Sequence, residues 1–219
     1  MLDALQVYDD LDPKAAALNM AVDEALLETA GAPILRFYRW RRPSLSFGYF
    51  GRHADVANQS SHRDIVRRWT GGGIVPHGDD LTYSVIVPAS HPCFARSSLE
   101  VYRDLHDAIR RALEANGVEA ALANSAAPKV SEDCFANAVR ADVMSEGRKV
   151  AGAAHRRSRA GLLHQGSIQR SDLPDRFRDD LARILCSSFE GRSLSPAQLE
   201  RATGIAAAKY GAAEWLTRR

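Results

Sequence analysis

Apolar residues along the chain change period several times, and each change marks an element. After Asp12-Pro13, the positions Leu18, Val22, Ala25 and Thr29 share one face of a 3.6-residue repeat, which predicts a helix opening at that dipeptide and ending near Ala30. Ile34–Trp40 and residues 44–50 are rich in β-branched and aromatic side chains and are separated by Arg41-Arg42-Pro43, so they read as two strands of a hairpin. Residues 65–69 form a short strand running into Thr70-Gly71-Gly72-Gly73, and residues 81–87 a further strand stopped by Pro88. Ser97-Ser98-Leu99-Glu100 is a capping box that opens a helix carrying Tyr102, Leu105, Ile109 and Leu113, closed by Gly117. Strands follow at 142–144, 149–154 and 162–168, joined by Gly- and Arg-rich turns. Phe177, Leu181, Ile184 and Leu185 mark a late helix; Ser195-Pro196 starts another, with Leu194 and Leu199 spaced as a hydrophobic staple, and the tail through Trp215 reads as helical. Strands cluster in the middle rather than alternating strictly with helices, which favours α+β, a mixed or antiparallel sheet core flanked by helices, over a doubly wound parallel sheet.

A length of 219 residues suits one large domain, and a hydrophobic share of 45% is enough for a core. With 29 basic and 27 acidic residues the net charge is only +2, so nothing global points to nucleic acid. The basic runs at 39–42, 67–68 and 156–159 read as solvated loops or anion contacts. Cys93, Cys134 and Cys186 are few and far apart, without a CxxC pair, so neither a zinc site nor a disulfide framework is expected, and a reduced, cytoplasmic setting fits. The N-terminal MLDALQVYDDLDPK does not resemble a signal peptide, and no run approaches the roughly 18 apolar residues of a membrane span.

Four segments carry chemistry. In Arg67-Arg68-Trp69-Thr70-Gly71-Gly72-Gly73, glycines let backbone approach a ligand and two arginines favour an anion, but a glycine-rich turn reads the same way. His77, in a loop, is either a reactive group or a surface hydrogen-bonding residue. Lys149 leads the small-residue stretch Val150-Ala151-Gly152-Ala153-Ala154, where it either fixes a charge beside a ligand or extends from a strand end to solvent. Cys134, fifteen positions earlier, is an acyl acceptor or a small buried hydrophobe; Cys93 and Cys186 are read as the latter. The segment 162–168, with His164 and Gln165, reads as core, with His164 the residue that could face a pocket.

Taken in order, these segments resemble the lipoate–protein ligase and octanoyltransferase family, whose catalytic fold is shared with biotin–protein ligases. The resemblance is carried by Asn19-Met20-Ala21-Val22-Asp23-Glu24-Ala25-Leu26-Leu27, Arg36-Phe37-Tyr38-Arg39-Trp40, Ser46-Phe47-Gly48, the Arg67-to-Gly73 loop and His77. It continues through Leu81-Thr82-Tyr83-Ser84, Cys134-Phe135, Gly147-Arg148-Lys149 with the strand after it, and His164-Gln165-Gly166-Ser167-Ile168, covering about 18–170. It implies one catalytic domain over 1–219 with a helical segment over 171–219. It also implies that Arg68, Gly71, Gly72, Gly73 and His77 line an acyl pocket, that Lys149 holds the acyl carbonyl or an acyl-adenylate phosphate, and that Cys134 is the nucleophile of a cysteine-dependent branch. In that branch octanoate comes from acyl carrier protein without a cofactor. A ligase branch uses ATP and Mg instead. The implied acceptor is the lysine of a lipoyl carrier domain, in a glycine-cleavage H protein or a 2-oxoacid dehydrogenase. Trp69 and His155 depart from the family's usual pattern, which has a smaller residue and a glutamine there, and Ala141 stands where the ATP-dependent branch tends to carry asparagine.

Overall fold

A computed structural model describes residues 2–126, 128, 131 and 133–218. Among these, strands β1 (Leu5–Lys14), β2 (Ile34–Trp40), β6 (Leu81–Pro88), β7 (Ala121–Leu122), β8 (Val143–Ser145), β9 (Arg148–Arg157), β10 (Gly161–Ile168) and β11 (Phe189–Arg192) form one sheet ordered β11-β1-β2-β6-β10-β9-β8-β7. A second sheet, β4-β3-β5, is built from β3 (Ser44–Phe47), β4 (Asp64–Arg67) and β5 (Val75–His77). The helices are α1 (Ala16–Thr29), α2 (Ser98–Ala115), α3 (Arg176–Leu185), α4 (Pro196–Ile205) and α5 (Ala213–Thr217), with a π-helical turn at Ala206–Tyr210. The α+β architecture and the mixed sheet follow the sequence pattern. None of the described helices is long and apolar enough to cross a membrane.

The main sheet is buried on both faces, so its central strands read as nearly unbroken apolar runs. Alternate residues divide between two cores. Leu35, Phe37, Tyr83, Val85 and Leu162 pack toward α2 and α3, through Leu105, Ile109, Phe177 and Leu181. Ile34, Tyr38, Ile86 and Leu163 pack toward α1 and α4, through Met20, Val22, Leu26 and Ile205. The expected capping box of α2 forms, with Ser97 accepting from the Glu100 amide, and Ser195 and Gln198 form a second one for α4.

Several expectations are corrected. Asp12 to Lys14 belong to β1, and α1 begins only at Ala16. The acidic stretch after Leu5 hides a strand that pairs parallel to both β2 and β11. The segments at 34–40 and 44–50 form no hairpin, because β2 pairs with β1 and β6 whereas β3 lies in the second sheet between β4 and β5. Helix α1 is buried nearly all round rather than on one stripe, with Thr29 exposed and Leu18 only half-buried. The segment after 171 is not wholly helical, since β11 closes the sheet edge there. Cys93 and Cys186 are buried and apolar in setting, as expected.

Candidate active site

A cleft of about 390 Å3, part of it open to solvent, lies where the second sheet meets the α1 face of the main sheet. Met20, Tyr38, Trp40 and Val75 form fully buried inner walls, and the half-buried Cys134 lies toward the outside. Gly152, Ala153 and Ala154 of β9 supply a wall without bulky side chains, as their residue types suggest. Arg68, Gly72 and His77 line the cleft; Gly71 and Gly73 do not. Those two act through their carbonyls, which accept from Arg68 Nη2 at 3.0 and 2.8 Å. Gly72 has φ +87°, and a Cβ there would lie 3.2 Å from Arg68 Nη2 and 3.4 Å from Ala154 Cβ, so glycine is required for both conformation and space.

The paired arginines face opposite ways, and both are buried, which excludes the solvated-loop reading of that run. Arg67 is buried away from the cleft and donates to the carbonyls of Tyr49, Gly51, Trp215, Leu216 and Arg218. Arg68 donates through Nη1 to Ser46 Oγ at 2.7 Å. Burial lowers its proton affinity below that of ordinary arginine, while the charge of Cys134 acts in the opposite sense.

His77 sits in β5 and is buried, unlike a loop residue at the surface. It stacks on Trp40 with ring centroids 4.1 Å apart, faces Ser46 Oγ through Nε2 at 2.7 Å, and faces Asp80 Oδ2 through Nδ1 at 2.8 Å. The tautomer with a proton on Nδ1 satisfies every partner: His77 donates to Asp80, Ser46 donates to His77, and Arg68 donates to Ser46. The Asp-His-Ser order resembles a nucleophile-activating triad. Here, however, the fully buried Ser46 is already an acceptor for Arg68, so the chain of bonds fixes the guanidinium beside the cleft. Burial raises the Asp80 carboxyl, but His77 and the bonds from Ser167 and the Gly78 amide outweigh it and hold the group below the usual carboxylate range.

A second network underlies the cleft. Arg36, completely buried, donates to Asp23 Oδ1 at 2.8 Å, to Asp10 Oδ2 at 2.8 and 3.1 Å, and to the backbone and side-chain oxygens of Asn19. Gln165 donates to Asp23 Oδ2 at 2.8 Å and accepts from Thr70 at 2.9 Å, tying the network to the glycine-rich loop. Gln165 was assigned to the core from sequence; it lines the cleft, whereas His164 is core and faces the other way. The signal available was the polar alternation Gln165, Ser167 along an otherwise apolar strand.

At the outer edge, Lys149 Nζ lies 3.5 Å from Cys134 Sγ and donates to the Cys134 carbonyl at 2.8 Å. Its carboxylate partner is Asp142, with Oδ2 at 2.8 Å, both side chains being almost fully buried. The chain from Cys134 to Lys149, fifteen positions apart, therefore folds back and brings nitrogen and sulfur together. The pair sets a sulfur and a hydrogen-bond donor side by side at the edge of the cleft.

The chain matches the family described as lipoyl protein ligase A/B catalytic domain over residues 15–201. It is 40% identical over 165 residues to an octanoyltransferase LipM of Oceanobacillus iheyensis, covering 71% of this chain and 60% of that relative. The chain thus spans about three fifths of the length of that relative. A LipM octanoyltransferase of Lysinibacillus sphaericus is 30% identical over 259 residues, covering 91% of this chain and 94% of the relative. Among solved structures, a bi-partite lipoate protein ligase of Thermoplasma acidophilum superposes with a TM-score of 0.75 at 20% identity, covering 99% of this chain and 97% of that one, a likeness of fold. From residue 15 to 201, this chain belongs to the lipoyl protein ligase A/B catalytic-domain family.

Proposed function

We propose that the chain is a single catalytic unit that moves an octanoyl group from a thioester donor onto Cys134 and from there to the lysine of a lipoyl carrier domain. The observation that carries this reading is the pairing of Cys134 Sγ with Lys149 Nζ at 3.5 Å, at the edge of a cleft with buried apolar inner walls. The thiolate attacks the donor carbonyl, the donor thiol leaves, and the acceptor amine then displaces Cys134. Two steps of modest difficulty replace one, and the donor thioester is already activated, so no ATP is needed. Lys149 holds the acyl carbonyl as charge develops on its oxygen. Arg68, Gly72 and His77 shape the cleft for the chain, with Gly71 and Gly73 holding Arg68. Acyl carrier protein is the donor carrier, and a glycine-cleavage H protein or a 2-oxoacid dehydrogenase subunit the acceptor. The relatives named as LipM octanoyltransferases support transfer over ATP-dependent ligation.

The test is to incubate the protein with octanoyl-acyl carrier protein and no acceptor, and to weigh it. A hydroxylamine-labile octanoyl adduct on Cys134 is expected, together with severe loss of transfer in Cys134→Ser. Modification of an apo lipoyl domain by Cys134→Ser with ATP, magnesium and lipoate would instead establish the ligase reading.

A further inference from the structure

An enzyme that presents an acyl thioester to a lysine faces a hazard when its own lysine lies nearer than the substrate's. Lys149 Nζ is 3.5 Å from the sulfur that, in the reading above, carries the acyl group. Attack by its lone pair on the thioester carbonyl would break the C–S bond, release the Cys134 thiol with the amine's proton, and leave a permanent amide.

The surroundings of Lys149 oppose this. Besides the Phe135 ring, 5.2 Å from Nζ to its centroid, its polar partners among the described residues are the Asp142 carboxylate at 2.8 Å, the Cys134 carbonyl at 2.8 Å, the Asn137 carbonyl at 3.5 Å and the Cys134 sulfur. All accept hydrogen bonds. An ammonium has only donors to offer such a shell, whereas a neutral amine would turn a lone pair toward oxygen. The carboxylate is the charged member of the shell, and it is itself fixed. Tyr102 donates to Asp142 Oδ1 at 2.5 Å and the Val139 amide to Oδ2 at 2.7 Å. Ala141, immediately before it, holds a left-handed φ of 69°, with its carbonyl bound by His106 at 2.7 Å. Such a conformation in a residue with a Cβ persists only where its surroundings impose it. Gly152 keeps open the space the ammonium occupies, since a Cβ there would lie 2.3 Å from Lys149 Cε and 2.7 Å from Nζ.

We infer that Asp142 is a positioning residue with a protective role: it pins Lys149 as an ammonium beside the thioester and so prevents the enzyme from acylating itself. The inference rests on the Cys134 thioester of the proposed function.

The experiment compares wild type with Asp142→Asn in the full chain. Both are exposed to octanoyl-acyl carrier protein without acceptor, treated with hydroxylamine, digested and mapped. Loss of an opposite charge at this range favours the neutral, nucleophilic form of an amine. Asp142→Asn is therefore expected to accumulate a hydroxylamine-stable octanoyl amide on Lys149, at least roughly tenfold above wild type. The double variant Asp142→Asn/Cys134→Ser should lose it, because the donor is the Cys134 thioester. A folded Asp142→Asn protein that carries the Cys134 thioester and leaves Lys149 unmodified overturns the protective role. A wild type with no thioester overturns the proposed function instead. Should Asp142→Asn not fold, Asp142→Ser, which also removes the charge, is read in the same way, with an unmodified Lys149 again overturning the inference.

Discussion

The two faces of β10 bury polar side chains by opposite means. On the cleft side, Gln165 and Ser167 join groups whose charges and polar atoms are each matched: Arg36 with the Asp23 and Asp10 carboxylates, and the Asp80 carboxylate with the His77 ring. On the other side, His164 stands against His155 at 4.7 Å between ring centroids, His106 at 5.7 Å and Tyr102 at 5.8 Å. Burial, before any other influence, pushes the proton affinity of these histidines down, to about 4 for His106 and about 4 for His155, and well below the ordinary value for His164. The rings stay neutral, and among the described residues the Nε2 atoms of His106 and His155 have no hydrogen-bond partner. One face keeps its charges by pairing them; the other refuses the proton. The difference teaches that burial alone does not decide the state of a polar group, since it acts on both faces equally and the partners decide.

The paired face should break hardest. Arg36→Ala leaves the fully buried Asp23 without its cation and Asp10 with Lys14 alone, and stranding a buried charge typically costs 3–5 kcal/mol. Against a total stability of roughly 5–15 kcal/mol this is a large fraction, and urea denaturation should show most of it as a shift in midpoint. A loss under about 1 kcal/mol would mean the two carboxylates find other partners.

The neutral face should respond to acid. An unfolded histidine takes up its proton as pH falls below about 6.5, whereas folded His106 and His155 resist until about 4. The unfolded state therefore binds more protons across that window. Stability is full above pH 6.5 and declines toward pH 4, by about 3 kcal/mol for each of these two histidines. His155→Gln should flatten the decline by about that amount, read from thermal unfolding at several pH values. Equal decline in both proteins would assign the effect to carboxylates.

Gln165 provides the smallest and sharpest test, because it is neutral within the charged network. Gln165→Leu removes a donor from Asp23 and an acceptor from Thr70, an unsatisfied-group cost of about 1–3 kcal/mol. It should loosen the glycine-rich loop and weaken octanoyl transfer, while the acid response of the histidine face stays unchanged. A change in that response would show the two faces to be coupled through β10.

The parts of the molecule legible from sequence are those set by local rules. The capping box at Ser97, the strands at β6, β9 and β10, and the α3 period depend on residues within one or two turns of each other. The hairpin expectation failed because Arg41-Arg42-Pro43 signals a turn but not which sheet receives the next strand. That choice is made by β4 and β5, far along the chain. The strand Leu5–Lys14 was hidden by acids that face Arg36, Lys14 and Arg178. Cys134, Arg68, Gly72 and His77, which line the cleft, and Lys149 at its edge all fall in segments that the ordered motifs marked. Ser46 and Gln165 lay inside those motifs without a role, and Asp142 lay outside them, since a lone polar residue shows its role only when its partner arrives across the fold.

The Arg67 clamp has a consequence in time. Its guanidinium closes on carbonyls at 215, 216 and 218, up to 151 positions later in the chain. At roughly 5–20 residues per second, a ribosome takes about 7–30 s to make that stretch. Throughout that interval Arg67 emerges with much of its hydrogen bonding unmet, and Arg68 beside it belongs to a wall still waiting for its backing. The nascent chain can fold its hairpins and helices early, but this corner of the cleft is completed only when the segment that latches it has been synthesised.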